Sequence, residues 1–187
     1  PYANGPLHLG HVAGCYLPPD IHARFERARG NRVLMVSGSD EHGTPITVTA
    51  EQEGVSPQNV VDEYHAINTK ALLDLGCTWM PNVDLRGIDY GGSFFNRTSD
   101  SRHKEKVQEN FRLLYDAGFF EKRTMQQYYE IHPDGGGRFL PDRYIEGTCP
   151  ACGADAARGD QCDVCGATYE SSELKNPVSK MHPELKV

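Results

Sequence analysis

The sequence predicts an α/β protein: a parallel sheet with crossover helices, followed by a small metal-stabilised insertion. Two observations predict it. Residues 1–38 read in turn as a strand end, a tight turn, a helical stretch and a short apolar run, which is the β-α-β rhythm of a parallel sheet. Four of the 6 cysteines form two C-x-x-C pairs near the end of the chain, in a stretch with few apolar residues.

Composition sets the bounds. At 187 residues the chain is long enough for one domain, or a domain plus a small module. Hydrophobic residues make up 38% and charged residues 24%, and no run approaches the roughly 18 apolar residues of a membrane span. A net charge of −7 argues against a stand-alone nucleic-acid binder with a broad basic face, so any RNA contact should be local or made elsewhere. There is no secretory signal, and the cysteine distribution suits a reducing, intracellular compartment. The opening turn calls for a preceding strand, so the chain is expected to begin inside a larger protein.

In order, Pro1-Tyr2-Ala3-Asn4-Gly5-Pro6-Leu7-His8-Leu9-Gly10-His11 supplies a strand end, a turn at Gly5 and Pro6 as a first helical residue. His8 and His11, three apart, share a face in the first turn, where unpaired N–H groups and the helix dipole favour an anion. Gly10 between them leaves room for a flat ligand, and the imidazoles can donate to a phosphate under attack. Taken alone, H-x-x-H also recurs by chance as surface or core histidines.

Leu9, Val12, Ala13 and Tyr16 keep helical spacing until Pro18-Pro19, where a kink or restart is expected. A second piece spans 20–29, with Ile21, Phe25 and Ala28 inward, His22 outward and Gly30 as its stop. Arg32 to Gly38 reads as a buried parallel strand whose carboxyl end carries Ser39-Asp40-Glu41-His42-Gly43, the edge where such sheets hold ligands. Asp40 and Glu41 admit two readings: a solvated turn, or a carboxylate receiving an ammonium group.

Thr44-Pro45 opens a helix that stops at Gly54, and Ser56-Pro57 opens the next. In that second helix Val60, Val61, Tyr64, Ile67, Ala71, Leu72 and Leu75 form the core stripe; His65, Cys77 and Trp79 are assigned to packing. A loop with a short strand near Leu85 to Ile88 covers 81–96, and a helix covers 100–116 with Val107, Phe111, Leu114 and Tyr115 inward. Gly118 ends it. The boundary is drawn there, giving units 1–118 and 119–187, with strands expected over Phe119 to Ile131 and a hairpin-like turn at 133–137.

Cys149-Pro150-Ala151-Cys152-Gly153 and Cys162-Asp163-Val164-Cys165-Gly166 lie nine residues apart. Each pair can form a knuckle that aims two sulfurs at one ion, and four thiolates close a tetrahedral Zn²⁺ site with no open position. The ion is therefore expected to be structural, over residues 149–166. Redox chemistry would need only one pair. A nucleic-acid-reading zinc ribbon is disfavoured by Asp155, Asp160, Asp163 and Glu170 around the cluster.

His8-Leu9-Gly10-His11 resembles the HIGH signature of class I aminoacyl-tRNA synthetases, and Pro1 to Gly5 is similar to the form preceding it in the methionine and isoleucine enzymes. Asp40-Glu41-His42-Gly43-Thr44-Pro45 looks like the segment after the second strand of methionyl-tRNA synthetases, and Phe139 to Pro150 like the entrance to their zinc-bearing connective peptide. The resemblance implies the first half of a Rossmann-type catalytic domain with a truncated connective-peptide insertion holding one zinc knuckle. The implied reaction activates methionine with ATP and Mg²⁺ to methionyl-adenylate and passes it to tRNA in the cytoplasm. His8 and His11 would be catalytic, His8, Gly10 and His11 would bind ATP, Asp40 would hold the amino group of methionine and Tyr2 would wall its side chain. No K-M-S-K-S segment is present, tRNA contacts are expected mainly outside this chain, and the chain alone is expected to have little activity. Two rivals remain: a small nucleotidyltransferase, which has no need of the cysteine insertion, and a zinc-dependent binding module, which leaves the first fifty residues unexplained.

Overall fold

The computed structural model describes residues 1–77 and 95–187, in two compact units, Pro1–Phe119 and Phe120–Val187. Trp79 and the strand expected near 85–88 lie outside the described residues. The last two residues of the expected loop, Phe95 and Asn96, instead open a strand.

In the first unit, α1 (Leu9–His11), a π-helical turn (Val12–Tyr16) and α2 (Leu17–Ala28) form one continuous helical stretch. Pro6 lies ahead of it, not in its first turn. Pro18 and Pro19 do not interrupt it, because the wider turn ahead of them, closed by Leu17 N–H on Val12 C=O, leaves both where no amide is required. The inward face differs from the apolar count. Tyr16, Asp20 and Ala23 are buried, whereas Ile21 is 62% and Phe25 57% exposed, and Ala28 is exposed too. Asp20 can turn inward because Arg24 Nε donates to its carboxylate at 2.8 Å.

β1 (Ser37–Ser39) pairs in parallel with β2 (Phe95–Arg97). On its other edge Asp40 donates to Pro1 C=O at 3.2 Å and accepts from Ala3 N–H at 2.8 Å, a parallel bridge at Tyr2. Three parallel segments therefore lie side by side, residues 1–3, 37–40 and 95–97. The expected strand over Arg32 to Gly38 shrinks to its last residues, and within that run Met35 is buried while Leu34 and Val36 are exposed.

α3 (Thr44–Glu53) starts from Gly43 as N-cap, one residue before the expected Thr44, and α4 (Pro57–Asp74) from Ser56, whose hydroxyl accepts Asn59 N–H. Two apolar clusters hold the unit. One joins Tyr16, Ala23, Met35, Leu72, Cys77 and Phe95; the other joins Ala3, Ile46, Ala50, Val60 and Val61. Ile67 and Leu75, expected in the α4 stripe, are exposed, and Asn68 is buried in their place. α5 (Ser101–Asp116) has no buried residue, so the inward face expected for Val107, Phe111, Leu114 and Tyr115 is not formed among the described residues.

In the second unit, the strands expected over Phe119 to Ile131 reduce to β3 (Tyr129–Ile131), which forms a hairpin with β4 (Gly137–Phe139) around the 133–137 turn. β5 (Ile145–Thr148) lies between β6 (Ala157–Arg158) and β7 (Lys175–Ser179), both antiparallel. Glu130 is fully buried and accepts from Ser179 Oγ, with His132 Nε2 at 2.9 Å and Arg138 Nε at 3.3 Å. Among the described residues no helix is long and apolar enough to cross a membrane.

Candidate functional site

The HIGH-like motif caps its own helix. His8 is the extended N-cap of α1, and its Nδ1 accepts His11 N–H at 3.3 Å; His11 Nδ1 faces His8 N–H in return at 3.5 Å. The rings stack with centroids 3.7 Å apart. An imidazole nitrogen that accepts a bond carries no proton, so in each neutral ring the proton sits on Nε2. Two N–H donors are thereby set side by side at a helix start. Burial, then the neighbouring His8, lower the pKa of His11 below its ordinary value, which keeps it a neutral donor at pH 7. Gly10 serves this arrangement directly: a Cβ there would lie 2.9 Å from His8 Cε1 and displace the ring.

The turn feeding the motif is held from α4. The side chain of Asn68 accepts Leu7 N–H at 3.0 Å and donates to Gly5 C=O at 3.2 Å. The sequence reading missed this residue. Its signal was a polar amide four residues after Tyr64 and four before Leu72, inside the apolar stripe.

Tyr2 and Asp40 are brought together by the bridge between residues 1–3 and the end of β1. Asp40 is exposed and accepts His42 N–H at 3.3 Å through Oδ1. The Tyr2 ring lies against Gly43, where φ is +128° and a Cβ would come within 2.9 Å of Tyr2 Cε1. A cavity of about 540 Å³ runs along β1 and β2 and reaches Asp40, lined in part by Pro1, Val36, Gly38, Asn96, Arg97 and His103. Among the described residues no hydrogen bond or ion pair joins His8 or His11 to Asp40; the two pairs are connected by the short backbone from Ala3 to Leu7.

Glu41 points the other way. Its buried carboxylate accepts Arg97 Nε at 2.7 and 2.9 Å, Ser39 Oγ at 2.8 Å and Ser99 Oγ, while its N–H donates to Thr98 Oγ1 at 2.8 Å. Arg97 reaches on to Asp62 of α4 at 2.5 Å, and His65 of α4 meets Ser39 Oγ at 2.8 Å. His65, read from sequence as packing, is thus a member of a polar cluster. Burial and the Arg97 charge lower its pKa.

The four paired cysteines converge, with all four sulfurs within 4.8 Å of one another. Cys149 and Cys165 sulfurs are 3.9 Å apart and those of Cys152 and Cys162 3.7 Å. Tetrahedral ligation at a Zn–S length of about 2.3 Å requires about 3.8 Å between sulfurs. Both knuckles are built alike. Gly153 N–H donates to Cys149 C=O and Gly166 N–H to Cys162 C=O, and the two glycines have φ of +75° and +74°, a left-handed turn that favours glycine. Cys152 N–H, then Ala151 N–H, bring the Cys149 thiol down to about 6 against the effect of burial. The Ala154 N–H favours the Cys152 thiolate, but Cys165, burial and the other thiols together push it up to about 12. Such crowding is what a dication relieves.

A parallel β-α-β start whose helix is capped by H-x-G-H, followed by paired cysteine turns, agrees with membership of the class I tRNA synthetases. The model of the family described as "tRNA synthetases class I (M)" matches residues 1–186, and the chain belongs to that family. It is 52% identical over 184 residues to "Methionine--tRNA ligase" of Bifidobacterium adolescentis, covering 98% of this chain and 27% of that protein. Its identity to the protein of the same name from Chlorobium luteolum is 48%, covering 100% of this chain and 25% of the relative. The chain thus spans about a quarter of the length of these curated relatives. Its fold is shared with Mycobacterium tuberculosis methionyl-tRNA synthetase in complex with methionyl-adenylate, at a TM-score of 0.58 and 22% identity over 89% of this chain and 28% of that one. The leucyl enzyme of Agrobacterium radiobacter K84, solved in a ternary complex with tRNA-LeuAMS, scores 0.54 at 24% identity over 84% of this chain and 19% of that one.

Proposed function

We propose that this chain is the first half of a Rossmann-type catalytic domain (1–118) followed by a connective-peptide insertion (119–187) of a cytoplasmic methionyl-tRNA synthetase. The enzyme activates methionine with ATP and transfers the aminoacyl group to tRNA. The observation that carries this reading is the stacked His8–His11 pair, with both Nε2–H donors at a helix start, on the same short segment as Tyr2, whose backbone bridges to Asp40.

In this mechanism Asp40 receives the ammonium group of methionine and Tyr2 lies along its side chain, which orients the substrate carboxylate for in-line attack on the α-phosphorus of ATP. His8 and His11, with the N-terminal amides of α1, donate hydrogen bonds to the phosphate oxygens as charge grows there; pyrophosphate leaves with the electron pair of the broken P–O bond. Gly10, bare of side chain, lets the nucleotide approach. Mg²⁺ bound with ATP supplies charge neutralisation on the leaving pyrophosphate. Cys149, Cys152, Cys162 and Cys165 would hold one Zn²⁺, which would supply a structural cross-link.

The test is methionine-dependent ATP–pyrophosphate exchange by the protein as it occurs in its organism, with any flanking sequence retained. His11→Ala should lower kcat by about 10²–10³-fold, the loss typical of one donor to developing charge. Equal rates for wild type and variant, or exchange supported by a different amino acid in preference to methionine, would overturn the reading.

A further inference from the structure

We infer that Asn68 is a positioning residue for the adenylation step: its amide locks the Gly5–Leu7 turn and thereby fixes where His8 enters the site. The inference rests on the function proposed above and names a residue outside the nucleotide- and methionine-binding set.

Asn68 is 4% exposed and sits among Val61, Leu72 and the other apolar positions of α4, where an amide is tolerated only when its donor and its acceptor are both used. Both are used, and on one turn. Leu7 N–H and Gly5 C=O flank Pro6, which has no N–H of its own, so the single side chain engages both polarities of the turn. The contacts span 61 and 63 residues of sequence, so they tie the turn to a separate helix rather than to its neighbours. The residue after Leu7 is His8, whose backbone N–H and ring nitrogen are both committed to His11. A shift of Leu7 therefore moves the cap and the stacked ring pair together. Tyr2 and Asp40 are held independently, by the backbone bonds between Pro1, Ala3 and Asp40. Loss of Asn68 should accordingly separate the two halves of the site, misplacing the phosphate donors while leaving the methionine contacts in place.

Side-chain chemistry makes this testable. Asn68→Leu keeps the volume and removes both bonds. Asn68→Asp keeps the shape; ionised, it loses the donor toward Gly5 C=O, but protonated, its O–H restores that donor while its C=O accepts Leu7 N–H. In the full protein, Asn68→Leu should lower kcat for ATP–pyrophosphate exchange about 100-fold, the cost of a displacement near 1 Å. The Kd for methionine alone, by calorimetry, should stay within about twofold. Asn68→Asp should recover activity relative to wild type as the pH is lowered from about 8 to about 6, the direction in which a buried carboxyl takes its proton. A merely structural amide would lower kcat and methionine affinity in parallel with thermal stability, with no relative recovery at lower pH; that pattern, an unchanged kcat, or failure of both variants to fold would overturn the inference. Wild type without methionine-dependent exchange would instead refute the functional reading itself.

Discussion

Adjacent carboxylates with opposite surroundings give the most discriminating experiment. Among the described residues the buried Glu41 carboxylate accepts from Ser39, from Ser99 and, with both oxygens, from Arg97 Nε, whereas the exposed Asp40 carboxylate accepts from His42 N–H. Glu41→Gln keeps the shape, and hydroxyls of Ser39 and Ser99 can rotate to suit it. Its NH₂ cannot accept from Arg97, so at least one charge-assisted bond is lost, at about 1.5–3 kcal/mol. Among the described residues, Glu41→Ala leaves Arg97 with the Asp62 carboxylate as its acid partner. Removing one partner of a buried pair costs about 3–5 kcal/mol, and because Arg97 is 29% exposed and keeps its second carboxylate, a loss near the lower end, about 3 kcal/mol, is expected. Asp40→Asn should change stability by less than about 0.5 kcal/mol, as surface substitutions do, yet abolish methionine binding. Urea unfolding of the full protein and calorimetric methionine titration read the two outcomes separately. Equal stability losses for Glu41→Gln and Asp40→Asn, or a stability change below about 0.5 kcal/mol for Glu41→Ala, would refute the assignment of structural and binding roles.

Chelation should remove one zinc per chain and unfold the 149–166 segment, since structural zinc contributes about 10 kcal/mol or more to such knuckles; metal analysis by mass spectrometry and protease sensitivity of Cys152→Ser check it. Gly43→Ala places a methyl against the Tyr2 ring at a φ of +128°, so methionine affinity should fall at least tenfold with a stability cost of about 1–3 kcal/mol, read by calorimetry and melting. The lowered pKa of His65 means the unfolded chain takes a proton before the folded one does. Stability from this group is complete above its ordinary 6.5 and is lost as pH falls through its lower folded value, and His65→Gln should flatten that part of the stability–pH curve.

What the sequence made legible was local chemistry with fixed spacing. The glycine-terminated cysteine turns, the Ser56-Pro57 helix start and the glycine turn at 133–137 are each set by residues within a few positions of one another and form where expected, whereas the helix expected from Pro6 starts at Leu9, with His8 as its N-cap. Apolar periodicity failed where a polar side chain turns inward. Asp20 rotated α2 away from Ile21 and Phe25, and Asn68 displaced Ile67 and Leu75 from the stripe of α4, because their partners lie far along the chain or are not apolar at all. The resemblance singled out Asp40, but the role of Glu41 was unreadable, since its partner Arg97 is 56 residues away.

The buried acids share a pattern that bears on function. Asp20, Glu41 and Glu130 are all buried, and each meets an arginine, Arg24, Arg97 or Arg138, that stays partly exposed. A buried acid with a guanidinium reaching to the surface satisfies the charge without a fully buried cation. An apolar contact tolerates sliding and rotation, whereas a carboxylate held by directional donors tolerates little of either. Around Glu41 that rigidity falls on the ends of β1 and β2, which Arg97 ties to Asp62 of α4, so the adjacent residue proposed to hold the substrate ammonium inherits a fixed backbone from a neighbour outside the proposed binding set. Arg97→Lys tests this coupling: it keeps the charge but loses the fork that spans both Glu41 oxygens and Asp62, and methionine affinity should fall with Asp40 intact.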